Sequence, residues 1–195
     1  MHEKARFHHW QGTGSLSIKS FRSGRALYNA GRGCYAVDQN SYLVLNHGQR
    51  YSITVDSDKS VESFCIFFQA GLSGDVFRSL TSNPVTLLDN PYPPRPKELT
   101  FFERTYPHDD VLSPALFHLR DALGNLKEEP FRRDELLHGV MERLLVAHCR
   151  VYKEIAALES ARAATREELY RRAHRARDFI LACFDRTLTL GEIAA

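Results

Sequence analysis

Between Ser15 and Phe68 the chain is cut into short apolar segments by turn residues, and this spacing constrains the fold more than any other feature. "SLSIKSF" runs into Ser23-Gly24, "CYAVD" into Gln39-Asn40, "SYLVLN" into His47-Gly48, and "RYSITVD" into Ser57-Asp58. "VESFCIFF" then runs to Gly71. Five strands of this length and spacing predict an antiparallel sandwich or barrel. Within them Tyr51, Ile53 and Val55 share one face, Phe64, Ile66 and Phe68 another, and Tyr35 lies with Val37. Alternation alone does not say which face points inward, because "FCIFF" carries aromatics on both.

The period changes after this region. Thr81 to Leu99 holds five prolines (Pro84, Pro91, Pro93, Pro94 and Pro96). Proline lacks a donor N–H, so this is expected to be a loop over the barrel, with "ELTFFERTY" as a further strand. Ser113-Pro114 then opens a helix with Leu116, Leu119, Leu123 and Leu126 on one face. A second helix is predicted from Asp134 to Leu158, striped by Leu137, Met141, Leu144, His148, Val151 and Ile155. Its length exceeds what a small barrel needs for cover, so Leu137, Met141, Leu144 and His148 are expected at a homodimer interface, with intrachain packing as the alternative. Thr165-x-x-Glu168 reads as a capping box for a third helix, and Thr189-x-x-Glu192 as one for a fourth.

The net charge of +2 does not by itself argue for nucleic acid. Six arginines nevertheless fall between Arg162 and Arg177, either as a solvated helix face or as a phosphate-facing surface. Cys34, Cys65, Cys149 and Cys183 form no CxxC pair and sit among apolar residues, which predicts buried free thiols in a reducing, cytoplasmic setting. No apolar run is long enough to span a membrane, and "MHEKARFHHW" reads as a flexible arm, not a signal peptide.

Catalytic chemistry is hard to find. Chelation by two histidines on one strand face needs HxH, and none occurs. "NHGQRY", Asn46 to Tyr51, has the shape of a cupin PxGxxH turn, but Asn46 replaces the proline and Tyr51 the histidine. No GxSxG, Walker loop or dinucleotide fingerprint is present. No metal, cofactor or catalytic residue is expected. The aromatic residues Tyr28, Tyr35, Tyr42, Tyr51 and Phe64, with Trp10 from the arm, are the candidate lining of a small-molecule site.

The order of parts resembles the AraC/XylS family of bacterial transcription activators. "ARDFILACF", Ala176 to Phe184, is similar to the first helix of that family's DNA-binding domain, and "LTLGEIA", Leu188 to Ala194, to the start of its next helix. "SYLVLNHGQRYSITV" followed by "ESFCIFF" resembles its cupin-like regulatory domain. The resemblance implies an α+β chain: a cupin-like antiparallel barrel (double-stranded β-helix) with its arm over 1–110, a helical dimerisation and linker region over 111–160, and a helix-turn-helix domain begun over 161–195 and cut before its recognition helices. It further implies a small-molecule effector in the barrel, a homodimer, and DNA bound only through the full-length protein, with Arg171, Arg172 and Arg175 contacting phosphates. A cupin-fold enzyme acting on a small metabolite is the alternative, and a dimerisation module with a filled barrel is a third.

Overall fold

The computed structural model describes residues 1–91, 98–125, 130–159 and 162–194. Seven strands come first: β1 (His2–Thr13), β2 (Ser17–Ser23), β3 (Arg25–Ala30), β4 (Gly33–Asp38), β5 (Ser41–Leu45), β6 (Arg50–Phe67) and, after two helices, β7 (Thr105–Pro107). The helices are α1 (Leu72–Thr81), α2 (Pro84–Asp89), α3 (Ser113–Asn125), α4 (Pro130–Ala156), α5 (Ala163–Ala182) and α6 (Leu190–Ala194). The strands pair antiparallel in the order β4-β3-β6-β2-β5-β7, with β1 along the other edge of β6. They make a nearly closed barrel followed by helices, the predicted fold class.

The predicted break at Ser57-Asp58 is absent. β6 runs through it because β1 pairs with β6 on both sides, His8 opposite Val55 and Ala5 opposite Val61, with an irregularity between Ala5 and Phe7. The supposed arm is therefore a strand. Arg25–Ala30, which carried no strand prediction, pairs with β4 and β6. The positive φ of Gly24 (79°) and Gly31 (57°) makes the turns at its two ends.

"ELTFFERTY" forms a strand only from Thr105. The Asn46 side chain satisfies Phe101 instead: its Nδ2 donates to the Phe101 carbonyl at 3.0 Å, and its Oδ1 accepts from the Phe101 N–H at 2.7 Å. A side-chain amide thus replaces a ladder partner. The proline-rich stretch contains α2, whose N-cap Asn83 accepts from the Thr86 N–H at 2.8 Å. Pro93, Pro94 and Pro96 lie outside the described residues, as does Leu126.

Two cores follow from the period of the strands. Inside the barrel Phe21, Tyr28, Tyr35, Val37, Leu43, Tyr51, Val55 and Val61 pack together. On its outer face Ile18, Tyr42, Val44, Phe64, Ile66 and Phe68 pack against Leu116, Leu119, Met141, Leu144, Val151 and Ile155 of the helices. The dimer expectation is corrected at this point. Met141 and Leu144 are 0% and 1% exposed within the single chain, and Leu137 is partly buried against the same cluster. His148 sits with Phe101 and Tyr152, ring centroids 4.9 Å away in each case. The long apolar stripe of α4 is absorbed by α3, α1 and α5 in one core with the outer face of the sheet, and α1 was not foreseen.

Capping gives one success and one failure. α5 starts at Ala163, two residues before the predicted box, and its N-cap Arg162 offers no side-chain bond. The box at Thr189 forms: Glu192 accepts from the Thr189 N–H at 2.9 Å, and the Glu192 N–H donates to Thr189 Oγ1 at 3.3 Å. No helix among the described residues is long and apolar enough to cross a membrane.

The correction is testable. Leu144→Ala should cost about 2–5 kcal/mol in urea unfolding, as buried leucines do, and Leu144→Glu should prevent folding. Val146→Glu, at a position 47% exposed on the same helix, should be tolerated.

Candidate ligand pocket and the barrel–helix joint

β6 lays its odd-numbered side chains toward β1. Tyr51, Ile53, Val55, Val61, Cys65 and Phe67, with Phe21 of β2 and Tyr28 of β3, wall a pocket of about 390 Å³ that Ala5, His8 and Trp10 of β1 help to close. The Trp10 indole leans on Tyr51, ring centroids 4.9 Å apart. The clasp at the other end of β1 is electrostatic. Glu62 receives His2 Nε2 at 2.7 Å, Lys4 Nζ at 3.1 Å and an Arg22 guanidinium nitrogen at 3.4 Å. Hydrogen bonds from His2 and Lys4 hold the Glu62 carboxyl down to about 2.

Glu3 and Met1, whose terminal ammonium donates to the Cys65 carbonyl at 2.8 Å, also line this pocket, but the buried charged side chain in it is that of Lys19. Lys19 alternates with Ile18 and Ser20 on β2, and it is 2% exposed. Its ammonium donates to the Tyr51 hydroxyl at 3.1 Å and lies 3.9 Å from the centroid of the Phe67 ring. None of the ion pairs among the described residues includes it. Burial pushes its pKa from the ordinary 10.5 to about 8. The Tyr28 hydroxyl is buried without a conventional hydrogen-bond partner, and its acidity is suppressed by burial and by the neighbouring Cys65.

Of the six predicted lining residues, the structure brings Trp10, Tyr28 and Tyr51 together here. Tyr35 lies in the inner core away from the pocket wall. Tyr42 and Phe64 are corrections, because their register turns them to the outer core. Tyr42 stacks on Tyr106 at 5.2 Å and 8°, and Phe64 packs toward the helices. Lys19 was missed, although a lysine at an inward position of an alternating strand is a legible signal. A larger groove of about 960 Å³ runs between α3 and α4, but charged side chains such as Arg132, Asp134, Glu135, Glu142 and Arg143 line it. No three His, Cys, Asp or Glu side chains among the described residues converge as a metal set would.

A second feature lies where α5 meets the barrel. Asp178 is 1% exposed. It accepts from the Thr105 N–H at 2.9 Å and from Thr105 Oγ1 at 2.7 Å, while Arg177 Nη2 donates to the Thr105 carbonyl at 2.6 Å and to Asp178 at 2.7 Å. Beside it Arg104 donates to Glu154 at 3.2 Å, to Tyr170, and to His174 Nε2 at 3.1 Å. Burial and two guanidinium groups press His174 down to about 4, so it is a neutral acceptor at physiological pH. At the far end of α5 Arg25 donates to the carbonyls of Leu181 and Ala182 at 2.8 and 2.7 Å. Arg171 bridges Glu167 and Glu168 while lying 5.5 Å from the centroid of the Phe102 ring, and the exposed Arg172 pairs with Glu168. Arg175 lies near Glu103, whose carboxyl is raised by burial despite that cation.

No protein-family model and no curated protein sequence matches the chain. Solved structures do. The chain is similar to an apo variant of ToxT from Vibrio cholerae, with a TM-score of 0.50 and 12% identity over 99% of this chain and 68% of that one. It is similar to the AraC-like transcriptional activator CuxR, with a TM-score of 0.50 and 16% identity over 98% of this chain and 63% of that one. The barrel with its trailing helices is thus the fold found in ToxT and in CuxR, and this chain spans about two thirds of the length of each.

The lysine has a measurable consequence. A lysine whose folded pKa lies below its unfolded value penalises the folded state at low pH, and the penalty is relieved as pH rises from about 8 toward 10.5. Lys19→Met should therefore be more stable than the parent at pH 7 by roughly 3 kcal/mol. The gap should close between pH 8 and 10.5 in urea titrations.

Proposed function

We propose that the chain is the effector-sensing portion of an AraC-type bacterial transcription regulator, with a small molecule bound under β1 and the response delivered through α5. The observation that carries this is the pocket. It is walled by aromatic and aliphatic side chains from the strands and supplied with the Lys19 ammonium and the Tyr28 and Tyr51 phenols as buried polar handles, with Glu3 and the Met1 terminus also on its lining, which is the composition of small-molecule sites. The likeness in fold to the AraC-like transcriptional activator CuxR supports a binding role over turnover.

A ligand there touches Trp10 on one side and Tyr28 and Lys19 on the other. It would bind best when β1 is closed over it, and so shift the population toward that state. α5, held on the barrel by Asp178 and Arg25, would carry the change to a DNA-binding domain of the full-length protein. Arg172, exposed on that helix, with the half-buried Arg171 and Arg175, would contact phosphates. Homodimerisation belongs to the same proposal, through exposed α4 side chains such as Val146 and Tyr152. Cytoplasmic residence follows from such a role.

The probe for the pocket is 1-anilinonaphthalene-8-sulfonate, an aromatic anion of suitable size. It should bind saturably at one site per chain and change the emission of Trp10, the only tryptophan. Val61→Trp, which fills the pocket, should abolish that binding while the fold is retained. Unchanged binding in the filled variant would place the site elsewhere.

A further inference from the structure

Lys19 is the one lysine among the described residues that the fold buries, whereas Lys4, Lys59 and Lys153 are exposed. A buried ammonium is ordinarily paired with a carboxylate. Lys19 faces neutral groups instead. Its Nζ donates to the Tyr51 hydroxyl at 3.1 Å and lies 3.9 and 5.0 Å from the ring centroids of Phe67 and Tyr51. None of the ion pairs among the described residues joins it to Glu3, the carboxylate on the pocket lining. The pocket holds a second polar group in want of a partner. Tyr28 is 1% exposed, its hydroxyl has no conventional hydrogen-bond partner, and its ring centroid is 6.2 Å from that of Tyr51. An unmade buried hydrogen bond is costly, and an acceptor on a ligand recovers that cost.

These two features select a ligand chemistry. Burial holds Lys19 near 8, so about one molecule in ten carries the free amine at pH 7, against about one in three thousand for an ordinary lysine. A free amine in an apolar pocket is a nucleophile toward a carbonyl carbon. A carboxylate brought to the same place would have to shed its own water, and an uncharged carbonyl compound carries no such penalty. Cys65 also lines the pocket, but burial pushes its thiol up, so it stays protonated and does not compete. It is the one buried cysteine of the four expected to be so; Cys34 and Cys183 are half-buried and Cys149 is exposed.

We propose that Lys19 captures an apolar or aromatic aldehyde as a reversible imine, an inference that rests on the space beneath β1 being the effector site. The ammonium first gives one proton to solvent through the Tyr51 hydroxyl. The Lys19 nitrogen then attacks the carbonyl carbon. A C–N bond forms, the π pair of the carbonyl moves onto oxygen, and that oxygen, held by the Tyr28 hydroxyl, takes up a proton lost from nitrogen to give a carbinolamine. The nitrogen lone pair next forms the C=N bond as the C–O bond breaks, and the hydroxyl leaves as water with the proton first released. In sum, one ammonium and one aldehyde give one iminium and one water, with no change in oxidation state. The apolar wall around the C=N bond keeps water from reversing the step until β1 opens.

The test incubates the chain with 2-naphthaldehyde, quenches with sodium borohydride at intervals, and maps the reduced secondary amine by peptide mass spectrometry. The expected product is one naphthylmethyl group per chain, on Lys19, at a level about tenfold or more above that on Lys4, Lys59 or Lys153. Saturation with 1-anilinonaphthalene-8-sulfonate beforehand should suppress it, and Lys19→Met should remove it. Its rate of formation should level off above a midpoint near pH 8, while labelling of the exposed lysines keeps rising. Tyr28→Phe should slow it several-fold with the circular dichroism spectrum unchanged. Labelling spread over the exposed lysines, labelling of the Met1 amine in place of Lys19, or a Lys19 adduct indifferent to the sulfonate would overturn the proposal. Saturable binding of the sulfonate, or of 2-naphthoate, with no aldehyde adduct on Lys19 would overturn the imine and leave the pocket standing as a site. Absence of both sulfonate binding and adduct would overturn the two together.

Discussion

The eighteen residues of β6 set the rest of the structure. This strand pairs with β1 along one edge and with β3 and then β2 along the other. Its side chains alternate with a period of two, so one choice of register decides both cores. The odd positions Tyr51 to Val55 and Val61 to Phe67 wall the pocket, and the even positions Phe64 and Ile66 meet the helices. A slip of one residue would exchange the two sets, turning Phe64 and Ile66 into the pocket and Cys65 and Phe67 into the helix interface. Along the edge away from β1 the register is held at two places, by Ile18 of β2 opposite Ile66 and by Tyr28 of β3 opposite Ile53.

The joint at α5 depends on that frame at one remove. β3 contributes Tyr28 to the pocket and Arg25 to the carbonyls of α5, and β4 is paired with β3. Pocket and helix therefore share one strand. One turn earlier on α5 the buried Asp178 is engaged by Thr105 and Arg177, so this part of the helix docks through directional bonds. A buried carboxylate left without these donors would cost several kcal/mol, which makes the docked arrangement strongly preferred. A ligand alters this joint only by the difference in its affinity for two arrangements of it.

Much of this was legible in the sequence, and the failures have particular causes. The alternation of Tyr51, Ile53 and Val55 and of Phe64, Ile66 and Phe68 named two faces correctly, but burial on both sides hid which was inward. The box at Thr189 and Glu192 was readable because capping is local. The box at Thr165 had the same letters, yet α5 begins earlier, and local propensity yields to packing at helix starts. β1 looked like a loose arm because "HEKARFHHW" is polar on both faces; its order comes from ladder bonds to β6 and from the charges around Glu62, which no periodicity reveals. Met141 and Leu144 looked like surplus apolar surface because α1 and the Asn46-braced segment at Phe101 were unseen, and those are what cover α4 beside β6. Lys19 was legible and passed over. Asp178 was read only as a letter in "ARDFILACF", although its partner Thr105 is remote in sequence and could not have been inferred.

The central claim is that the space beneath β1 is a ligand site closed by that strand. Amide hydrogen exchange with and without saturating anilinonaphthalene sulfonate tests it directly. The account predicts slower exchange across His8 to Thr13 and the paired stretch Arg50 to Val55, with the α3–α4 groove unaffected. Protection of α3 and α4 instead, with β1 exchanging as it does in the free chain, would contradict it.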